Sequence, residues 1–146
     1  MDIVDFVRDS IATVERGDVD SYVAMLAAEW RLVVNGTVAP IDRTQYIGLL
    51  KALRRAMPDL SIRARDFVRE GEWVHVSTSL VGTHTAPFEV PGLFPFIAAS
   101  GKRIEQPRQM ARFRVIDGTI REEEIRTPEG VDPASVYTQL GVTLPS

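Results

Sequence analysis

Apolar residues recur at three- and four-residue spacing through the first 60 positions and at every second position afterwards. The chain therefore predicts helices first and strands second. Ile3, Val4, Phe6, Val7, Ile11 and Val14 form one helical stripe that Gly17 ends. Asp18 can cap a second helix, where Val19, Tyr22, Val23, Leu26 and Ala27 keep the same period. Trp30 to Val34 reads as a short strand entering the turn dipeptide Asn35-Gly36. A third helix is predicted from about Thr44 to Met57, with Ile47, Leu50, Leu53 and Met57 inward and Lys51, Arg54 and Arg55 outward. Pro58 stops it.

From Leu60 the period is two. Leu60, Ile62 and Ala64 alternate with Ser61, Arg63 and Arg65, and Glu70-Gly71 turns into Val74, Val76, Thr78 and Leu80. His75 has the opposite parity, which assigns it to the outer face. A loop is predicted from about Thr85 to Gly101, and then Gln109, Ala111, Phe113 and Val115 alternate with Met110, Arg112 and Arg114. Asp117-Gly118 is a hairpin signal, with a returning strand from Thr119 to about Arg126. Asp132-Pro133 opens a last short helix ending at Gly141. This order predicts one α+β domain over residues 1–146, with helices on one face of a curved, mainly antiparallel sheet.

Composition narrows the function. With 45% hydrophobic and 25% charged residues, this is the make-up of a globular domain rather than a disordered or collagen-like chain. A formal charge of -3 with scattered basic residues predicts no nucleic-acid partner. The chain has no cysteine and two histidines, His75 and His84, without metal-ligand spacing, so no metal site is predicted. The N-terminus is acidic where a signal peptide is basic, and apolar runs of about eight residues are far short of a membrane span. These features predict a cytoplasmic protein that does not enter membranes.

Six phrases occur in order: Met57-Pro58-Asp59-Leu60, Glu70-Gly71-Glu72-Trp73-Val74, Gly82-Thr83-His84-Thr85, Gly101-Lys102-Arg103, Asp117-Gly118-Thr119-Ile120 with Glu122-Glu123, and Gln139-Leu140-Gly141-Val142. Together, from roughly Asp2 to Pro145, they resemble the SnoaL-like polyketide cyclase (ester cyclase) family of the nuclear transport factor 2-like superfamily. The resemblance implies a cone-shaped α+β barrel with three helices closing a bent sheet over a deep apolar pocket. It further implies a homodimer formed through the sheet's outer face, and a small hydrophobic or polyketide-like ligand. The chemistry it implies is cofactor-independent, such as aldol ring closure, with an acidic residue after the last strand. The superfamily also holds members without catalysis, so a ligand-binding or accessory role stands beside the enzymatic one.

Three residues are candidates for the chemistry. Asp132 is the formal match to the family's acid when counted back from Gln139-Leu140-Gly141, but an Asp before Pro is equally a helix start. Counted forward from Asp117-Gly118, that position falls on Pro128, so residues 127–131 carry an apparent insertion. Glu124 shares a strand face with Ile120 and Glu122 by parity, which predicts a pocket carboxylate with a raised pKa unless it pairs with arginines or a bulge turns it outward. His84 is a proton shuttle or a structural hydrogen-bonding group. Trp30, Asn35, Tyr46 and Gln109 are expected pocket groups, with Gln109 orienting a substrate carbonyl. The segment Pro87 to Ile97, about six residues longer than the family's usual link, brings Phe88, Phe94 and Phe96 to a lid or an interface.

Overall fold

A computed structural model describes residues 2–143. Helix α1 (Ile3–Glu15) begins where the Asp2 side chain accepts the Val4 N–H. Asp18 caps the single-turn α2 (Val19–Val23), which ends earlier than its apolar period suggests. Leu26 and Ala27 instead begin β1 (Leu26–Val34), whose start is fixed by Ile120 N–H donating to the Met25 carbonyl at 2.8 Å. Strand β2 (Thr37–Val38) follows, and α3 (Arg43–Ala56) starts on a reciprocal cap between Asp42 and Gln45.

The expected strand over Leu60–Ala64 does not form. Arg63 lies at φ 48°, which breaks the extended run, and the Glu15 carboxylate takes the Ile62 N–H and the Ser61 hydroxyl. The strand instead begins at β3 (Arg65–Glu70), paired with β4 (Trp73–Thr78). Short strands β5 (Val81–Thr83) and β8 (Arg103–Glu105) pair with one another. The expected loop carries a second small hairpin, β6 (Phe88–Val90) and β7 (Phe94–Ile97). Strands β9 (Gln109–Ile116) and β10 (Thr119–Arg126) turn on Asp117-Gly118, and α4 (Ser135–Leu140) ends at Gly141, φ 108°.

The main sheet is ordered β2-β1-β10-β9-β4-β3. It is antiparallel except for β1 beside β10. Its end strands do not pair with each other, so among the described residues the expected barrel is an open sheet. Helices α1 and α3 pack on its inner face, α2 packs against both, and α4 packs against β8. Val7, Ile11 and Val14 of α1 pack on Val74, Val76, Ala111, Phe113 and Ile120. A second apolar cluster joins α3, the β6–β7 hairpin and α4 through Leu53, Phe88 and Leu140. No helix among the described residues is long and apolar enough to cross a membrane.

Candidate active site

A bulge decides which glutamate of β10 faces the helices. Ile120 stands opposite Val115, but Glu122 stands opposite Arg114, so Arg121 is an extra residue in the ladder. Beyond it every side chain has changed face. Glu123 pairs with Phe113 and Ile125 with Ala111, both inward, while Glu122 and Glu124 share the outward parity of Arg114 and Arg112. The expectation that Glu124 lines the pocket is thereby corrected.

The inner face, α1 and α3 enclose a cavity of about 220 Å³, walled by apolar side chains such as Ile11, Leu49, Leu53 and Phe113. Glu123 reaches this cavity and is 3% exposed. The Tyr22 hydroxyl donates to Glu123 Oε1, and the Tyr46 hydroxyl donates to Oε2 at 2.9 Å. Trp30 stacks on the Tyr46 ring with centroids 4.5 Å apart. Its buried Nε1–H makes no hydrogen bond within range, yet it lies close enough to favour charge on Glu123. Burial raises the pKa of Glu123 above its ordinary value, and the donors Tyr22, Tyr46 and Trp30 offset this only in part. Burial, then the charge of Glu123, holds both phenols well above their ordinary range, so they stay protonated donors. Among the described residues, no Lys, Arg or His lines the cavity. A buried carboxylate without an opposite charge is costly, which makes Glu123 a candidate functional group.

Gln109 stands on the inner face of β9. It is buried, lines the cavity, and its Oε1 has no partner. With Thr78 opposite it on β4 and Gln106 nearby, it forms a polar end to the cavity, four residues along β9 from Phe113. That spacing separates its backbone from the Glu123 level by about 13 Å.

The remaining candidates lie elsewhere. Asp132 is exposed and its carboxylate accepts the Ala134 N–H at 2.8 Å, in the turn before α4; its neighbour Pro133, not Asp132, borders the cavity. Glu124 is buried on the outer face, where Arg112 donates twice to Oε2 at 2.9 and 2.6 Å and Arg126 pairs with Oε1 at 2.8 Å. Burial pushes this carboxyl up, but Arg112 and then Arg126 outweigh burial and hold it below its ordinary value. His84 is fully buried beside β5 and β8, with Nδ1 3.0 Å from the Ser100 hydroxyl, and burial lowers its pKa. It is absent from the cavity wall. Asn35 sits at φ 49° in an exposed turn and ties itself to Thr127 by two hydrogen bonds of 3.0 Å. Phe88 and Phe94 stack on Tyr137, which lines the cavity, so the hairpin supports the wall from behind. Phe96 is 60% exposed and turned away.

Glu123 and Tyr22 were not among the sequence candidates. The signal for Glu123 is Ile120 and Ile125, two apolar residues five apart that share a face only if a bulge intervenes. Tyr22 was visible only as part of an apolar helix stripe.

The comparisons agree with this architecture. None of the curated proteins matches the chain in sequence. AclR, a candidate hydroxylase from Streptomyces galilaeus, superposes with a TM-score of 0.70 at 17% identity, covering 96% of this chain and 95% of its own. IdmH, a candidate polyketide cyclase from Streptomyces antibioticus, gives 0.65 at 22% identity over 94% and 97%. TsrD from Streptomyces laurentii gives 0.67 at 19% over 95% and 94%. At these identities the likeness establishes the fold alone. The family model for SnoaL-like polyketide cyclases matches residues 2–140, and the chain belongs to that family.

Proposed function

We propose that the protein is an acid/base enzyme in which Glu123 removes a proton from carbon beside a carbonyl of a small, uncharged, largely apolar molecule. The observation that carries this is Glu123 itself, a carboxylate set in an apolar cavity with neutral donors and no countercharge. Its raised pKa moves it toward the basicity that proton abstraction requires. Anions are disfavoured, because the cavity offers them no cation and already holds one negative charge. The resulting enolate can close a ring or rearrange, as the family membership suggests. The reaction is a proton transfer followed by bond formation and consumes no redox equivalents, so the proposal includes no cofactor. Gln109 binds the far end of the ligand. Asp132 and His84 hold the α4 turn and the β5–β8 end, respectively.

The test is deuterium exchange into an apolar ketone such as 2-tetralone, followed by NMR. Exchange accelerated by the wild type and lost in Glu123→Gln supports the assignment, and equal rates contradict it.

A second reading is favoured by the two tyrosine bonds, which occupy one lone pair on each carboxylate oxygen and weaken its basicity. On that reading Glu123 anchors a bound molecule without turning it over, and wild type and Glu123→Gln differ in affinity alone.

The protein acts as a homodimer on this proposal. Val38, Val68 and Met110 stand exposed on the outer face of the sheet, at 53%, 57% and 46%. They flank ion pairs that already satisfy one another, Arg112–Glu124 and Arg114–Glu72. Light scattering coupled to gel filtration gives the mass directly; a monomer excludes this part of the proposal.

A further inference from the structure

Two hydroxyls hold Glu123, and they are not equivalent. Tyr22 is 3% exposed and its bond to Oε1 is buried, whereas Tyr46 is half-buried and its bond to Oε2 is only partly so. The Tyr46 ring is clamped by the stacked Trp30 indole at an interplanar angle of 24°. The ring is thus fixed, while its O–H rotor stays free to change partner. The titratable and charged groups facing Tyr46 are Glu123, Tyr22 and Tyr137, from β10, α2 and α4.

We propose that Tyr46 is the acid that protonates the substrate's carbonyl oxygen while Glu123 takes the proton from the adjacent carbon. This inference rests on Glu123 being the base. In the resting site the ionised Glu123 holds the Tyr46 proton. When the C–H bond breaks, its proton goes to Glu123 and its electron pair forms the C=C bond of the enol. The carbonyl π pair moves onto oxygen at the same time. Glu123, now neutral, no longer competes for the phenol proton, and Tyr46 delivers it to the developing oxyanion. The proton on Glu123 then passes to the phenolate oxygen, which restores both groups. The sum is ketone to enol, with every proton accounted for and nothing oxidised. The donor therefore becomes available only as charge develops on the substrate, which is when its stabilisation counts toward rate.

The experiment compares Tyr46→Phe with Tyr22→Phe in the full chain, using 2-tetralone exchange across pH and the affinity for 2-naphthol, a stable mimic of its enol. Tyr46→Phe is expected to slow maximal exchange about 100-fold with KM unchanged, on top of an upward shift of the acid limb from its own lost donor. Tyr22→Phe is expected to shift the acid limb upward, because the carboxylate has lost one donor, and to lower the maximal rate by only a few-fold. The wild type is expected to bind 2-naphthol about tenfold more tightly than Tyr46→Phe. If Tyr46→Phe lowers the maximal rate by no more than Tyr22→Phe does, Tyr46 merely holds the carboxylate and the proposal is overturned. If exchange is the same in wild type and Glu123→Gln, the base assignment fails separately. The 2-naphthol contrast still decides in that case: weaker binding by Tyr46→Phe supports the hydroxyl contact. Equal binding, or none to the wild type, overturns it.

Discussion

Glu123 and Glu124 are neighbours on one strand and live in opposite electrostatic worlds. The inner carboxylate is held by two phenols, no Lys, Arg or His among the described residues lines its cavity, and burial raises its pKa. The outer one is equally removed from water, but it lies between Arg112 and Arg126, and its pKa falls below the ordinary value. Arg112 is itself pinned over the Trp73 ring at 4.0 Å. Burial alone therefore does not set the basicity of a carboxylate. What differs is whether the burial is compensated by opposite charge: compensated, it ties strands together; uncompensated, it stores basicity.

The contrast yields tests of decreasing size. Glu123→Gln removes the base and should lower turnover by a factor on the order of 10² to 10⁴, whereas Glu124→Gln should leave it within a few-fold. Comparable losses in both variants erase the distinction. Phe88→Ala empties a fully buried site behind Tyr137 and should cost about 4 kcal/mol, measured by urea unfolding. Glu124→Ala strands two arginines that are partly solvated, so about 2 kcal/mol is expected, with cavity ligands still bound.

The smallest effect is in the pH dependence of stability, where the two glutamates have opposite signs. Glu123 has a folded pKa above its unfolded value of 4.5, so the folded state binds more protons and stability falls as pH rises from 4.5 to the folded pKa. Glu124 has a folded pKa below 4.5, so its contribution is present above 4.5 and is lost as pH drops through the folded value. Thermal unfolding from pH 3 to 8 should show Glu123→Gln gaining on the wild type as pH rises, and Glu124→Gln losing ground over the acid limb (both variants compared in one buffer series, about 2–4 °C per kcal/mol).

Much of the fold was legible in the sequence, for identifiable reasons. The stripe of α1, the Asp18 cap, the third helix and the Asp117-Gly118 hairpin are set by local chemistry, and each appears within a few residues of its expected place. Leu26 and Ala27 were misread as helix because they are apolar in both settings; their strand is set by pairing with β10, a contact 94 residues away. Leu60–Ala64 kept strand periodicity but lacked a partner, since Glu15 and one bridge to Val81 take its hydrogen bonds. Of the residues lining the candidate site, Gln109 and Tyr46 could be named from the sequence and Glu123 could not. Parity along β10 depends on one extra residue, and a single bulge reverses every face beyond it. The chemistry of three consecutive glutamates was visible, but which of them faced the cavity was a question of register.

The most direct measurement is a carbon-13 NMR titration of the glutamate carboxyls, with Glu123 and Glu124 assigned through their Gln variants. The account requires Glu123 to titrate above 4.5 and Glu124 below it, with Glu123 shifting when Tyr46 is replaced by Phe. Two midpoints that coincide at the ordinary value, or a Glu123 midpoint below that of Glu124, would contradict an inward Glu123 and the site built on it.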